Sequence, residues 1–489
     1  LAGDMRAKVQ AKPSSFLART IRSKARIADQ VARSAATALG VLLALCASAA
    51  AQTRGTAAPI EQPNLDALFP RAEEWLEARE RESWLIHGSA NFIWQAHPRF
   101  RSPYRGPNSL GPQATQENTL SLDLVLGRRL WEGAEFIMVP QLSRGFGFSN
   151  ARGVAAFPNG EAFRLGSTDP IGYFTRVFLR QTIALSGDTE GQDDDPMRFA
   201  GPLPRERITI TVGKFSIWDV FDDNRYAHDP RTQFMNWALV GAGAFDFAAD
   251  ARGFTNGIAV EWENGHWSLR GGAFQVARDV NGLALDPTPL RGWQLVGQVD
   301  RFWEIEGRRG AARLLVGASR TNSARWRDLT AVIGDDAAAE RLRNYRVKWM
   351  AAFNVEQEVA RGIGIFARLS WNDGRSQNWM FTEMDWAVSG GVSVSGVRWG
   401  RPGDTFGLAG NVGGLTRAHR RFLEAGGIGF LTGDGRLRYR PEAIAETYYD
   451  ARIGPGVNAA LGYQFIANPA YNADRGPVSV FSLRLRAAF

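Results

Sequence analysis

From Trp84 onward the sequence repeats with a period of two. In WLIHGSANFIWQAH, apolar or small side chains stand at Trp84, Ile86, Gly88, Ala90, Phe92, Trp94 and Ala96, while His87, Ser89, Asn91, Gln95 and His97 interleave. Successive side chains of an extended chain point to opposite faces, so alternation of this length predicts a β-strand and not a helix. Further on, Ile258, Val260 and Trp262 alternate with Glu261 and Glu263, and Trp267, Leu269 and Ala273 alternate with Ser268 and Arg270. Asn264–Gly265 lies between these runs and predicts a hairpin closed by a type I′ turn. Similar runs start near Leu120, Gly133, Tyr173, Arg205, Trp293, Ala311, Arg343, Ile363, Trp386, Asp404, Ala445, Val457 and Val478, which gives about sixteen strands.

The two faces of these strands indicate which solvent each meets. A water-soluble sheet would set its core face against a lysine-rich exterior. Here the polar face is Ser, Asn, Gln, Gly, Arg and Glu, and Trp84, Trp94, Trp131, Trp262, Trp267, Trp293, Trp349, Trp371 and Trp386 edge the apolar face near strand ends. Lipid outside, water inside and aromatic girdles at both interfaces predict an all-β fold, a transmembrane antiparallel β-barrel. No segment after residue 51 offers the roughly 20 apolar residues of a membrane helix, so closed strands are the remaining way across. The last strand, VSVFSLRLRAAF, puts Phe481, Leu483, Leu485, Ala487 and Phe489 on one face and Ser482, Arg484 and Arg486 on the other. A final strand ending in Phe resembles the signal read by barrel-insertion machinery.

Charge and composition change the picture mainly at the N-terminus. Of 58 Lys and Arg against 50 Asp and Glu, residues 1–51 hold eight basic groups and two acidic ones, so most of the +8 net charge sits there. A basic stretch, an apolar run from Ala35 to Ala51 and small residues at Ala49 and Ala51 predict a secretory signal peptide over 1–51, cut after Ala51. The single cysteine, Cys46, precedes that cut, so thiol chemistry is not expected in the mature chain. Residues 52–83 read as a linker and a short charged helix, and 84–489 as the barrel. After residue 51 the cations are almost all Arg, and no basic patch suggests a nucleic-acid partner.

Candidate chemistry gathers in Gly213–Gly257, which is too long for a hairpin turn and is the densest mixture of aromatic and charged residues in the chain. It holds Trp218, Asp219, Asp222, Asp223, Asn224, Arg225, Tyr226, His228, Asp229, Arg231 and Trp237. A sixteen-strand barrel leaves a wide lumen, so this segment is expected to fold inward as a constriction loop. Strand parity adds Glu135, Arg176, Arg180, Arg270, Arg368 and Arg452 to the expected lumen face. Aromatic faces suit the apolar face of a pyranose, and Arg, Asp, Glu and Asn suit its hydroxyls. Asp219, Asp222 and Asp223 lack the spacing of a calcium loop, so no metal or other cofactor is expected.

Four stretches resemble the carbohydrate-selective porins of the OprB type: GKFSIWDVFDDNRYAHDPRTQFMNWAL, GAFDFAADARGFTNG, the opening WLIHGSANFIWQAHPRFRSPYRGPNSL, and the closing run from Glu446 to Phe489. The resemblance implies a sixteen-stranded outer-membrane barrel that passes monosaccharides such as glucose into the periplasm. Residues 161–206 and the tail of 325–342 match poorly.

Two other functions find some support in the sequence. The arginine-rich lumen face suggests a general porin, or one for anions or organic acids. A barrel-borne hydrolase finds only His228 beside Asp229 and Asp219, with no H-E-x-x-H, G-x-S-x-G or P-loop in the sequence. The expected partners are small carbohydrates, outer-membrane lipid and the insertion machinery at Phe489. A monomer and a homotrimer fit the sequence equally.

Overall fold

The computed structural model describes residue 79 and residues 83–162, 166–192 and 195–489. The expected signal peptide, and the 52–83 segment apart from residues 79 and 83, lie outside the described residues. Eighteen strands form: β1 Trp84–His97, β2 Thr115–Trp131, β3 Ala134–Gly145, β4 Ser167–Ala184, β5 Thr189–Gln192, β6 Gly201–Pro204, β7 Arg207–Phe215, β8 Thr255–Glu263, β9 Trp267–Phe274, β10 Trp293–Ile305, β11 Arg308–Ser323, β12 Asn344–Ala360, β13 Ile363–Asn372, β14 Trp386–Ser395, β15 Thr405–Gly414, β16 Glu442–Gly454, β17 Val457–Ala467 and β18 Val478–Ala488. Sixteen of them close an antiparallel barrel in which each pairs with its chain neighbour, β7 following β4, while β5 and β6 form a separate two-stranded sheet. β1 closes the ring on β18, from Ser89 opposite Ala488 to Ala96 opposite Phe481, and the backbones of Gly88 and Phe489 exchange two hydrogen bonds of 3.1 Å. The terminal phenylalanine is therefore part of the seam.

Every expected strand is present, and β2 and β4 begin furthest ahead of their expected starts. β2 starts at Thr115 and β4 at Ser167, ahead of the runs expected from Leu120 and Tyr173, since Thr115–Asn118 and Ser167–Pro170 carry no apolar alternation to mark them. The β2 end stays paired to Thr115 opposite His97, and the β4 end rejoins β3 at Ser167 opposite Gly145 across an irregularity. The β8–β9 turn also differs from expectation. Gly265 and His266 are central, and only Gly265 has positive φ (80°), where a type I′ turn needs both. Asn264 instead accepts hydrogen bonds from the backbone N–H groups of His266 and Trp267 through its side chain.

The outer face is apolar and exposed, as at Leu122, Leu295, Leu314, Phe353, Leu369 and Leu408, while Asn91, Gln141, Gln294, Asn354 and Gln464 are buried on the inner face. The tryptophans sort to two rims. Trp84, Trp131, Trp262 and Trp267 stand at the end with short turns, and Trp94, Trp293, Trp349, Trp371 and Trp386 at the end with long loops. Barrels of this kind place short turns toward the periplasm and long loops outside the cell.

The long loops pack into an outer cap. Helix α1, Trp326–Thr330, meets helix α2, Arg417–Glu424, where Trp326 stacks on His419 with ring centroids 3.9 Å apart. His419 faces Asp385 at 3.2 Å, and the Thr416 N–H and hydroxyl each donate to Asp385 at 2.8 Å. Burial opposes ionisation of Asp385, but His419, Lys348 and the Thr416 N–H outweigh it and hold the carboxyl down at about 2.

At the inner end, one connection is long. The β5–β6 hairpin folds back into the mouth, where Phe199 is buried, Arg129 lies 4.6 Å over its ring, and Arg180 donates to the Met197 carbonyl at 2.9 Å.

Candidate functional site

Residues 216–254, between β7 and β8, enter the barrel and leave again. Their descent is set by single polar side chains on the lumen face of the wall. Ser216 donates its backbone N–H to Asp219, whose carboxylate also takes a bidentate pair of bonds from Arg176 of β4, at 2.7 and 2.6 Å. Asp222 adopts positive φ (56°), a conformation that Asp tolerates better than most residues. Its N–H donates to Gln298, and its carboxylate accepts from the Ala242 N–H (2.6 Å), Asn354 (2.9 Å) and Arg368 (3.2 Å). Arg368 spends its remaining donors on the Asp222 and Leu239 carbonyls. This pair is almost dry, at 1% and 2% side-chain exposure.

Below it, Asn224 donates to Asn354 and accepts from the N–H groups of Tyr226 and Ala227, and the Arg225 N–H donates to Glu356. Tyr226 rests on Gly364, where any side chain would collide with its ring. A cavity of about 170 Å³ opens there between Arg225, Tyr226, Glu358, Ser393 and Thr405, near the inner ends of β13 and β14.

The return path is pinned just as firmly. Glu446 accepts from the N–H groups of Met235 and Asn236 at 2.7 and 2.8 Å. Ser370 and Gln294 accept from Ala244 and Ala248. Asp246 accepts from four successive N–H groups, Trp379, Met380, Phe381 and Thr382, and so binds a second loop to the first. Backbone donors buried away from water need partners, and a carboxylate can serve several at once.

The aromatics form a cluster. Phe157, Trp237 and Trp218 stack in that order, with centroids 5.0 and 4.7 Å apart, and Phe247 and Phe381 pack beside them. Trp237 therefore has both faces occupied and only Trp218 is partly open. Along the lumen wall these arginines are matched by carboxylates: Arg231 by Asp123 (2.8 Å) and Glu161 (3.0 Å), Arg180 by Glu135 (3.3 Å), Arg270 by Asp300 (3.2 Å) and Glu261 (3.4 Å), and Arg313 by Glu356 (3.2 Å). The Asp223 side chain is 56% exposed and lies 3.7 Å from Arg313, the most open carboxylate of the group.

The expected residues thus divide by surroundings. Asp219, Asp223, Arg176, Arg231 and Trp218 keep some open surface, while Asp222, Asn224, Trp237 and Arg368 are buried. Asp229 closes a local turn by accepting from Arg231 N–H and Thr232, and His228 donates its N–H to Gln233. Glu135 and Arg180 lie with the inner hairpin. Arg452 is exposed at the end of β16, bonded to the Gly454 carbonyl. Gln294, Gln298, Arg313, Asn354, Glu356 and Glu446 were not anticipated, although all stand at lumen positions of their strands. Among the described residues no group of His, Cys, Asp and Glu could hold a metal ion.

A search of curated proteins finds no match to this sequence. Among solved structures, the fold is similar to the high-pH form of OprB from Pseudomonas putida, with a TM-score of 0.65 at 15% identity, covering 87% of this chain and 97% of that one. The outer-membrane channel DcaP of Acinetobacter baumannii aligns with a TM-score of 0.47 at 10% identity, over 83% of this chain and 97% of that one. OccK8 (OprE) of Pseudomonas aeruginosa aligns with a TM-score of 0.43 at 10% identity, over 83% and 98%. Residues 109–489 match the model of the carbohydrate-selective porin family, OprB. The chain belongs to that family, an outer-membrane β-barrel channel.

Proposed function

We propose that the barrel lets small neutral carbohydrates of monosaccharide size, glucose-like in shape, diffuse passively into the periplasm. The observation that carries this is the pairing of lumen arginines with carboxylates along the wall, together with Trp218, the partly open indole of the inward segment's stack. Paired charges offer alternating donors and acceptors to hydroxyls while cancelling most of the net field an anion would follow. That weighs against the anion or organic-acid reading, which rested on arginine content alone. The fold and family are those of a channel. The surroundings of His228 also favour no hydrolytic site, since Asp219 is committed to Arg176 and Asp229 to its own turn.

The proposal includes export through a signal peptide over 1–51, insertion through the strand ending in Phe489, and contact of the outer face with outer-membrane lipid. No cofactor or energy source is needed. Whether the barrel works alone or as a homotrimer is decided by its mass in mild detergent.

The test is single-channel conductance of the refolded barrel, titrated with glucose and then with a disaccharide. Glucose should reduce the current, and Trp218→Ala should weaken that block by about fivefold, corresponding to about 1 kcal/mol of ring contact. A current indifferent to every sugar, with strong anion selectivity in a salt gradient, would overturn the carbohydrate reading and favour the anion porin.

A further inference from the structure

The outward face of the long-loop rim carries two arginines on one aromatic ring. Arg320 points outward from β11 opposite Trp293 of β10, and Arg291 leaves the loop just before that strand. Their guanidinium groups lie 5.5 and 4.9 Å from the centroid of Tyr345, the second residue of β12. Neither makes a carboxylate ion pair among the described residues, unlike Arg176, Arg231, Arg270 and Arg313 of the lumen.

The Asp286 carboxylate beside them is buried, and both its oxygens are taken by neutral donors. It accepts from the Thr288 N–H (2.8 Å) and hydroxyl (2.5 Å) through one oxygen, and from the Tyr345 hydroxyl (2.7 Å) through the other. Gly292 permits this arrangement, because a Cβ there would lie 2.5 Å from an Asp286 oxygen. The Leu290 carbonyl accepts from Arg320 at 3.4 Å. The ring is therefore held by its hydroxyl while two like charges share its surroundings, and two cations gathered on one ring favour a nearby anion.

The neighbouring surface indicates where that anion comes from. Leu290 is 89% exposed, and Leu295, Val316, Val347 and Trp349 continue an exposed apolar strip down the lipid-facing wall. Cations directly above such a strip meet the headgroup layer of the outer leaflet. We propose that Arg291 and Arg320, set on Tyr345, form a docking site for the phosphate of an outer-leaflet glycolipid whose acyl chains lie along Leu290, Val347 and Trp349. The site is separate from the lumen and independent of the cargo.

The probe is diphosphorylated lipid A, measured by native mass spectrometry on the full barrel in detergent, with the dephosphorylated lipid and inorganic phosphate as comparisons. R291Q/R320Q should lower retention of the phosphorylated lipid roughly tenfold or more, given about 1 kcal/mol per cation near a charged leaflet. R301Q, at the opposite rim, should leave it unchanged, and both variants should keep wild-type conductance as proof of folding. Equal retention by the double variant, or equal retention of the dephosphorylated lipid by the wild type, would overturn the proposal. Displacement of the lipid by about 10 mM inorganic phosphate would reassign the site to the free ion and overturn the lipid assignment equally.

Discussion

The 216–254 segment has two edges that use the same chemistry in opposite ways. Against β10, β12, β13 and β16 it is held by Asp222–Arg368, Gln298, Asn354 and Glu446, all nearly free of solvent. Toward β2 and β4 it presents Asp219–Arg176 and Arg231–Asp123, whose arginine side chains keep 19% and 23% exposure. A dry carboxylate–guanidinium pair is costly to break because the surviving partner is left charged and buried. A pair that touches water is cheaper to alter, and its groups remain free to exchange hydrogen bonds with a passing solute. The dry edge is thus the scaffold and the wet edge the candidate filter.

Removing Arg368 should give the largest effect. Arg368→Met leaves Asp222 uncompensated, at a cost of about 3–5 kcal/mol. The expected outcome is a barrel that still migrates as folded but whose segment near Asp222 becomes protease-sensitive and whose conductance rises. Unchanged proteolysis and conductance would remove the distinction between the two edges. Glu446→Ala comes next, since it strands two buried N–H groups, Met235 and Asn236, at about 2–3 kcal/mol in total. Hydrogen exchange at those amides is the direct measure.

Acid should loosen the cap through Asp385. Asp385 is held at about 2 in the folded chain, against about 3.9 when unfolded. A depressed carboxyl pKa contributes stability that is complete above the unfolded value and is lost as pH falls from about 4 toward 2, on the order of 2 kcal/mol here. Exchange in 415–427 should therefore accelerate across that window in the wild type, with a much flatter response in Asp385→Asn. The smallest stability change belongs to the wet edge. Asp219→Asn should cost about 1 kcal/mol or less, yet shift the reversal potential toward anions, because it leaves Arg176 partly unmatched. A large loss of stability with no change in selectivity would put Asp219 on the scaffold side.

Strand positions were legible because lipid on one face and water or packed loops on the other impose strict alternation, and one residue of slip would invert it. Where that contrast ends, as at Thr115–Asn118 of β2 and Ser167–Pro170 of β4, the pattern ended before the strand did. The inward segment was legible as a dense aromatic and charged stretch, but the roles within it were not. Asp222 and Asp223 are adjacent and chemically identical, yet one is buried under Arg368 and the other is more than half exposed.

The sequence by itself determined the barrel, its two aromatic rims and the existence of an inward segment, since all three follow from local periodicity and composition. Only the tertiary structure decided which charges are scaffold and which face the lumen, that Trp237 is enclosed while Trp218 stays partly open, and that the β5–β6 hairpin enters the inner mouth. Those outcomes depend on partners more than a hundred residues apart, such as Asp222 with Arg368, Met235 with Glu446 and Asp246 with Trp379. Burial is a property of the closed ring and of everything folded into it, and no local window of the chain contains that information.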